Sequence, residues 1–84
     1  MFQLTVSDVF HIHGRGVVVT GAVELGEVRV GDVVQINGGE QVRVDGVEQE
    51  RNLVDQAGVG ASVGLLLSKI DESAVKRGDV ISAI

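Results

Sequence analysis

The sequence contains no cysteine, which excludes a disulfide framework and a thiolate-ligated metal site. It also has no apolar run near the ~18 residues that a membrane-spanning helix needs. Its first residues lack the charged, apolar and small-residue segments of a secretory leader. These absences are typical of a reducing compartment, and we therefore expect a cytoplasmic protein with no membrane partner.

Aromatic and basic side chains are both scarce. Phe2 and Phe10 are the only aromatic residues, too few for a broad platform on which single-stranded nucleic acid could stack. Twelve acidic residues outnumber seven basic ones, giving a formal net charge of −5. Such a charge repels polyphosphate and disfavours an extended nucleic-acid interface. A local site for one nucleotide end stays compatible with this composition.

The content and spacing of glycine and valine indicate β-strands. Proline is absent, glycine occurs twelve times, and valines recur with the spacing of two that is typical of a strand. The 84 residues predict one domain spanning positions 1–84. Alternation in the first run places Phe2, Leu4, Val6, Phe10 and Ile12 on one face. Further strands are predicted at 17–25, 33–36, 41–48, 61–68 and 80–84, and a helical turn at 71–76.

Short strands with glycine turns predict an all-β fold, a small closed antiparallel β-barrel of about six to seven strands. Gly38 and Gly39 predict a hairpin turn, because glycine tolerates positive φ. The segments 28–34 and 75–81 resemble each other, since each leads from a basic residue through Gly-Asp into a β-branched pair. This similarity predicts two equivalent turns that feed two core strands, and two copies are too few for a repeat array.

The stretch HIHGRGVVVTG, residues 11–21, contains glycines spaced as in a phosphate-binding loop, but the residues that follow it exclude this interpretation. Gly16 and Gly21 have the spacing of a P-loop, but Ala22 and Val23 follow where lysine and then serine or threonine are needed. A dinucleotide-binding pattern beginning at Gly14 fails because a valine stands at the third glycine position. The stretch instead predicts a tight hairpin corner at Gly14-Arg15-Gly16.

No catalytic or metal-binding set is recognisable either. His11 and His13 share one face of a strand, but a zinc site needs a third or fourth ligand. Their alternation with Phe10 and Ile12 predicts that both imidazoles are exposed. No serine stands in a G-x-S-x-G elbow. We therefore expect a non-enzymatic module with no metal and no cofactor.

The hairpin residues carry a family resemblance. The ordered segments Asp8-Val9-Phe10, Gly14-Arg15-Gly16 and Val18-Val19-Thr20-Gly21 resemble the opening hairpin of domain II of translational GTPases, most closely elongation factor Tu. The resemblance continues through segments 28–32, 46–48, 63–67 and 77–80. It implies an antiparallel β-barrel that works beside a GTPase domain. That nucleotide domain lies outside the resemblance, so a GTPase domain acting in trans is a candidate partner.

In elongation factor Tu this barrel holds the aminoacylated 3′ end of transfer RNA, and in several relatives it contacts the ribosome. The resemblance implies that Glu48 and Arg51 approach the terminal adenosine, with Leu66 beneath it. At position 62 the tRNA carriers have an asparagine, and the shorter Ser62 weakens that contact. The implied RNA-end site comprises Asp8, Phe10, Ile12, Thr20, Glu48, Arg51, Ser62 and Leu66.

Three of these residues, Phe10, Ile12 and Leu66, also have the alternation of core residues. Arg15 at the hairpin tip is the exposed residue best placed to meet a phosphate or a partner. Gln49-Glu50 replaces large apolar residues of the carriers, which further alters the site.

Two functions follow from the sequence. The first is an RNA-binding module of translation, facing a tRNA acceptor end or the ribosome, which the resemblance favours. The alternative is a protein-interaction or structural module, freestanding, excised or engineered, with no RNA ligand, which the acidic balance and Ser62 favour. The oligomeric state is left open, because valine-rich edges can pair between chains.

Overall fold

The computed structural model of the protein describes all 84 residues, and its regular structure is almost entirely β. A single 3-10 turn, Glu72–Ala74, lies within the predicted helical segment. The all-β class is therefore confirmed. The eleven strands are β1 (Gln3–Thr5), β2 (Asp8–Ile12), β3 (Gly16–Leu25), β4 (Glu27–Arg29), β5 (Val33–Ile36), β6 (Gln41–Arg43), β7 (Gly46–Gln49), β8 (Asn52–Val54), β9 (Gln56–Gly58), β10 (Ser62–Leu67) and β11 (Val80–Ala83).

All strand pairs are antiparallel, as predicted. The main sheet has the order β6-β5-β11-β1-β3-β10-β7-β8, and β2 pairs with β3 beside this path. The ten-residue strand β3 belongs to both halves of the sheet, because it pairs with β1 at one end and with β2 and β10 along the rest. The sheet curls into a half-barrel, and β4 and β9 form a separate two-stranded ribbon.

The strands are more numerous and shorter than the predicted six or seven, because turns divide the apolar runs. The predicted strand 41–48 is interrupted between β6 and β7 by Val44 and Asp45. There the Val44 N–H donates to the Asp32 carbonyl, and the Asp45 N–H donates to the Leu66 carbonyl. The strand direction therefore changes where two neighbouring residues bond to different parts of the chain.

A single aliphatic core fills the inside of the curled sheet. Leu4, Leu65, Leu67 and Ile81 are fully buried, and valines from most strands surround them. Val28 from the β4–β9 ribbon is fully buried in the same cluster, so the ribbon covers part of this core. Burial of each such side chain stabilises the fold by about 1.5–3 kcal/mol relative to exposure.

The first apolar run does not keep one face, and the prediction for Phe10 and Ile12 as core residues was wrong. Leu4 pairs with Val23, whereas Asp8 pairs with Thr20, so the pairing with β3 shifts by one residue between β1 and β2. A one-residue shift moves side chains to the opposite face of a sheet. Phe10 is therefore 51% exposed and Ile12 is 37% exposed.

The two Gly-Asp segments form equivalent turns, which confirms their predicted similarity. The Asp32 carboxylate accepts a 2.9 Å hydrogen bond from the Arg29 N–H, and the Asp79 carboxylate accepts one of the same length from the Lys76 N–H. In each turn the aspartate N–H donates back to the carbonyl of that same basic residue at 3.1 Å.

The hairpin joining β5 and β6 has its turn one residue earlier than predicted. The Gly39 N–H donates to the Ile36 carbonyl at 2.8 Å, which makes Asn37 and Gly38 the central residues. Both have positive φ, 51° and 73°, as a type I′ hairpin turn requires. Asparagine is among the residues that tolerate this conformation, so Asn37-Gly38 fits the turn better than Gly38-Gly39.

Candidate functional site

An open groove of about 570 Å³ lies on the outer face of the sheet, above β3 and β10. Val18 and Thr20 of β3 and Gly64 of β10 belong to its lining. A Cβ atom at Gly64 would lie 3.3 Å from Val18 Cγ1 and 3.8 Å from Glu48 Oε1. Glycine at this position therefore keeps the middle of the groove free of a side chain.

Strand register brings distant parts of the chain to this groove. Thr20 pairs with Asp8 of β2 on one side and with Gly64 of β10 on the other, and Gly64 in turn pairs with Glu48 of β7. Because side chains that are directly paired in a sheet share a face, this row presents one continuous surface.

Most of the residues predicted from the family resemblance line this groove together. The lining includes Phe10, Ile12, Thr20, Glu48, Arg51 and Ser62. The two others lie at its margins. Asp8 lines a different groove beside the 3-10 turn, where its carboxylate is 3.5 Å from the Arg77 guanidinium. Leu66 is half-buried and pairs with Val18.

Phe10 and Ile12 give the groove an apolar side. They project outward from β2, and Phe10 pairs across the sheet with Val18. Val18 is itself only 6% exposed although it lies outside the main core cluster. A small apolar patch therefore forms on the outer face, and about half of the Phe10 surface is open to a ligand.

Charged residues line the opposite side. Glu48 is half-buried on β7, and Glu50 and Arg51 follow it in the turn to β8. Arg15, at the tip of the β2–β3 hairpin, places its Nη2 atom 3.8 Å from Glu48 Oε2. Arg15, predicted as the exposed residue best placed to meet a phosphate or a partner, thus lies beside a carboxylate.

The turn between β7 and β8 has an unusual backbone. Glu50 and Arg51 have φ of 53° and 68°, and neither is glycine. Such a left-handed conformation costs a non-glycine residue about 1–2 kcal/mol. Backbone strain of this kind is found preferentially at functional sites. Glu50 was not predicted as a site residue. The only signal for it in the sequence was the charged pair Glu50-Arg51, which joins two segments in which apolar residues alternate.

Small side chains line one end of the groove. Ser62 is exposed at the start of β10 and pairs with Ala22 of β3. Neither side chain reaches far from the sheet, and the Ser62 hydroxyl is the polar group that this pair contributes.

Asp45 ties the hairpin tip to the rest of the sheet. Its carboxylate accepts hydrogen bonds from both the hydroxyl and the backbone N–H of Ser68. The Ser68 hydroxyl, more than any other group, holds the pKa of Asp45 below its ordinary value, against the opposing effect of burial. A Cβ atom at Gly16 would lie 2.8 Å from Ser68 Cα, so the tip packs directly on the residue that Asp45 holds.

The two histidines are exposed, as predicted, at the end of β2 and in the turn after it. No group of three or more histidine, cysteine, aspartate and glutamate side chains in the structure could hold a metal ion. The chain forms no helix long and apolar enough to cross a membrane.

Comparison with known proteins supplies the context for this geometry. The family model described as elongation factor Tu domain 2 matches residues 16–82. Translation elongation factor SelB from Methanococcus maripaludis, in its apo form, is 27% identical with a TM-score of 0.93, over 99% of this chain and 18% of that one. A bacterial selenocysteine-specific elongation factor EF-Sec is 32% identical with a TM-score of 0.88, over 96% of this chain and 14% of that one. The chain thus spans less than a fifth of either protein.

Proposed function

The chain belongs to the elongation factor Tu domain 2 family, and from this premise we propose that its outer groove binds the aminoacylated 3′ end of a transfer RNA. The observation that carries the proposal is the convergence of Phe10, Thr20, Glu48, Arg51 and Ser62 on one groove. These residues come from separate parts of the sequence and meet only because of the strand register.

The groove has the groups that a terminal nucleotide and its acyl group require. The exposed face of Phe10 offers a surface for a base or an acyl side chain, and base stacking on an aromatic ring contributes about 1–3 kcal/mol. The Glu48 carboxylate accepts hydrogen bonds from ribose hydroxyls or an amine. Arg51 supplies a cation for a backbone phosphate.

The acidic composition fits a local site better than a long RNA interface. The net charge of −5 disfavours attachment along an extended phosphate backbone. A single RNA end presents few phosphates, and Arg51 lines the groove to meet them. We therefore propose recognition of the end alone, with no reading of base sequence along the acceptor stem.

The similar structures support a role in translation. Both similar structures are elongation factors, one of them selenocysteine-specific by name. We further propose that the curled sheet functions as the closed barrel of this family in the cytoplasm. It would act without catalysis of its own, beside a GTPase domain and facing a tRNA or the ribosome.

The test is binding of an aminoacylated, CCA-ending RNA minihelix, measured by fluorescence anisotropy. We expect Glu48→Ala and Arg51→Ala each to weaken binding by about tenfold or more, because each removes a charge-assisted hydrogen bond. Arg29→Ala is the matched control, since Arg29 is 61% exposed and pairs only with Glu27 on its own strand. Equal affinity of all three variants and the wild type would exclude this site assignment.

A protein-interaction role is the second candidate, favoured by apolar side chains that line a second groove. Val33 is 48% exposed and, with Val34, Ala83 and Ile84, lines this groove, which has a volume of about 600 Å³. The test is an NMR titration with the isolated GTPase domain of a SelB-type factor. Shifts at Val33 and Ile84 that Val33→Glu abolishes would support this role, and an unchanged spectrum would oppose it.

A further inference from the structure

The side chains of Arg15 and Glu48 approach each other on the outer face of the sheet, and the two oxygens of the Glu48 carboxylate have different neighbours. Arg15 Nη2 is 3.8 Å from Glu48 Oε2. The other oxygen, Oε1, is the one that faces Gly64, where it would lie 3.8 Å from an added Cβ atom. One oxygen is therefore directed toward the hairpin tip and the other toward the middle of the groove.

The hairpin tip that carries Arg15 packs against the end of β10. Gly14 and Gly16 on either side have φ of 82° and 114°, a conformation that glycine adopts readily. Gly16 packs on the Ser68 backbone so closely that a Cβ atom would clash at 2.8 Å. Ser68 is in turn bound twice to Asp45. The base of the Arg15 side chain thus has a defined position relative to β10.

We propose that Arg15 is a positioning residue, which orients the Glu48 carboxylate so that Oε1 accepts a hydrogen bond from the ligand. The ligand chemistry this selects is a donor group, a ribose hydroxyl or an amine, seated above Gly64. The inference rests on the proposed function of the groove. It assigns Arg15 a role through Glu48 and not through contact with RNA.

A direct phosphate contact is the competing role for Arg15, and the two roles differ in how they depend on Glu48. A positioning arginine has no effect on binding once Glu48 can no longer be oriented as a carboxylate. An arginine that contacts a phosphate retains its effect on binding when Glu48 is changed. A double-mutant cycle between the two positions measures this dependence directly.

The experiment measures minihelix binding to the full chain and to Arg15→Ala, Glu48→Gln and the double variant. Because exposed ion pairs contribute little, we expect Arg15→Ala to weaken binding only about two- to fivefold. We expect the double variant to bind as Glu48→Gln does, and Arg15→Lys to restore part of the loss. Arg29→Ala, which alters an exposed ion pair on β4, should bind as the wild type does.

Equal losses from Arg15→Ala in the wild-type and Glu48→Gln backgrounds would overturn the proposal in favour of a phosphate contact. If the wild type does not bind the minihelix, the proposed function fails, and the orientation of Glu48 is tested without ligand. Three-bond NMR couplings should then report one dominant Glu48 rotamer in the wild type and averaging in Arg15→Ala. Identical couplings in the two proteins would overturn the positioning role by itself.

Discussion

At the scale of single residues, Asp79 is the only charged side chain that is buried in the fold. It is only 8% exposed, and its carboxylate accepts a hydrogen bond from the Lys76 N–H. The pKa of Asp79 lies below its ordinary value, first because of a hydrogen bond with the Asn37 side chain and then because of the Lys76 N–H. These bonds outweigh the opposite effect of burial, so the native turn favours the ionised form.

This shift predicts a loss of stability in acid. Because the folded-state pKa of Asp79 is lower than the unfolded one, its contribution is complete above the unfolded value, about 4, and disappears as the pH falls through the folded value. We expect Asp79→Asn to lower the free energy of unfolding at pH 7 by about 1–3 kcal/mol. In this variant the free energy of unfolding should also decrease less between pH 7 and pH 3 than it does in the wild type. Denaturant titrations at both pH values measure this.

Asp32→Asn is the matched control, since Asp32 makes the same backbone hydrogen bond in the equivalent turn but is less buried. We expect a smaller change at this position. A pH dependence in Asp79→Asn equal to that of the wild type would contradict the assignment of the acid-sensitive contribution to Asp79.

Single residues also show where sequence reasoning reaches its limit. Family resemblance identified Phe10 and Ile12 as site residues, and the structure does place both in one groove. Alternation alone assigned them to the core, because it carries no information about the register shift between β1 and β2. That shift depends on long-range bonds, the Val6 N–H to the Asp79 carbonyl and the Ser7 N–H to the Thr20 carbonyl.

At the scale of elements, the β7–β8 hairpin combines local strain with a place at the groove. Its two central residues, Glu50 and Arg51, have the positive φ that Asn-Gly adopts more readily. Both side chains line the groove. The turn therefore presents charge to the groove at a cost in stability.

Replacing the pair by Asn-Gly separates stability from binding. We expect Glu50→Asn with Arg51→Gly to raise the free energy of unfolding by about 1–2 kcal/mol, because the strain is relieved. The same variant should bind the minihelix more weakly, since the Arg51 guanidinium is gone. Thermal unfolding and anisotropy measure the two effects.

Glu50→Asn alone serves as the control, because it relieves part of the strain and keeps Arg51. It should be more stable than the wild type and bind nearly as well. A double variant that is less stable than the wild type would show that the turn is not strained.

The elements that could be predicted are those with a clear apolar alternation. The strand predicted at 33–36 is β5, Val33–Ile36, and that predicted at 61–68 contains β10. The three-residue strands β4, β8 and β9 were missed because segments this short carry too few residues to establish a period. The β4–β9 ribbon pairs residues about thirty positions apart, and no local signal indicates such a pairing.

At the scale of the whole molecule, charge and shape restrict how RNA can bind. The chain carries a net charge of −5, while the groove occupies one side of a curled sheet and has Arg15 and Arg51 near it. An acidic molecule with one local site should bind an RNA end through few phosphates. Its affinity should then come mainly from stacking and hydrogen bonds.

Salt dependence tests this balance. With about one phosphate neutralised, by Arg51, the logarithm of the binding constant should fall with the logarithm of salt concentration with a slope near −1. Anisotropy titrations of the minihelix between low and physiological salt give this slope. A slope several times steeper would indicate an extended phosphate interface outside the groove.

The most direct test of the central claim is a residue-resolved NMR titration of the full chain with the aminoacylated minihelix. The proposed function predicts shifts confined to the groove and its margins, with the deacylated minihelix shifting Ser62 less. No shifts at high micromolar RNA, or shifts centred on the second groove around Val33 and Ile84, would contradict it. The residues expected to shift are Asp8, Phe10, Ile12, Thr20, Glu48, Arg51, Ser62 and Leu66.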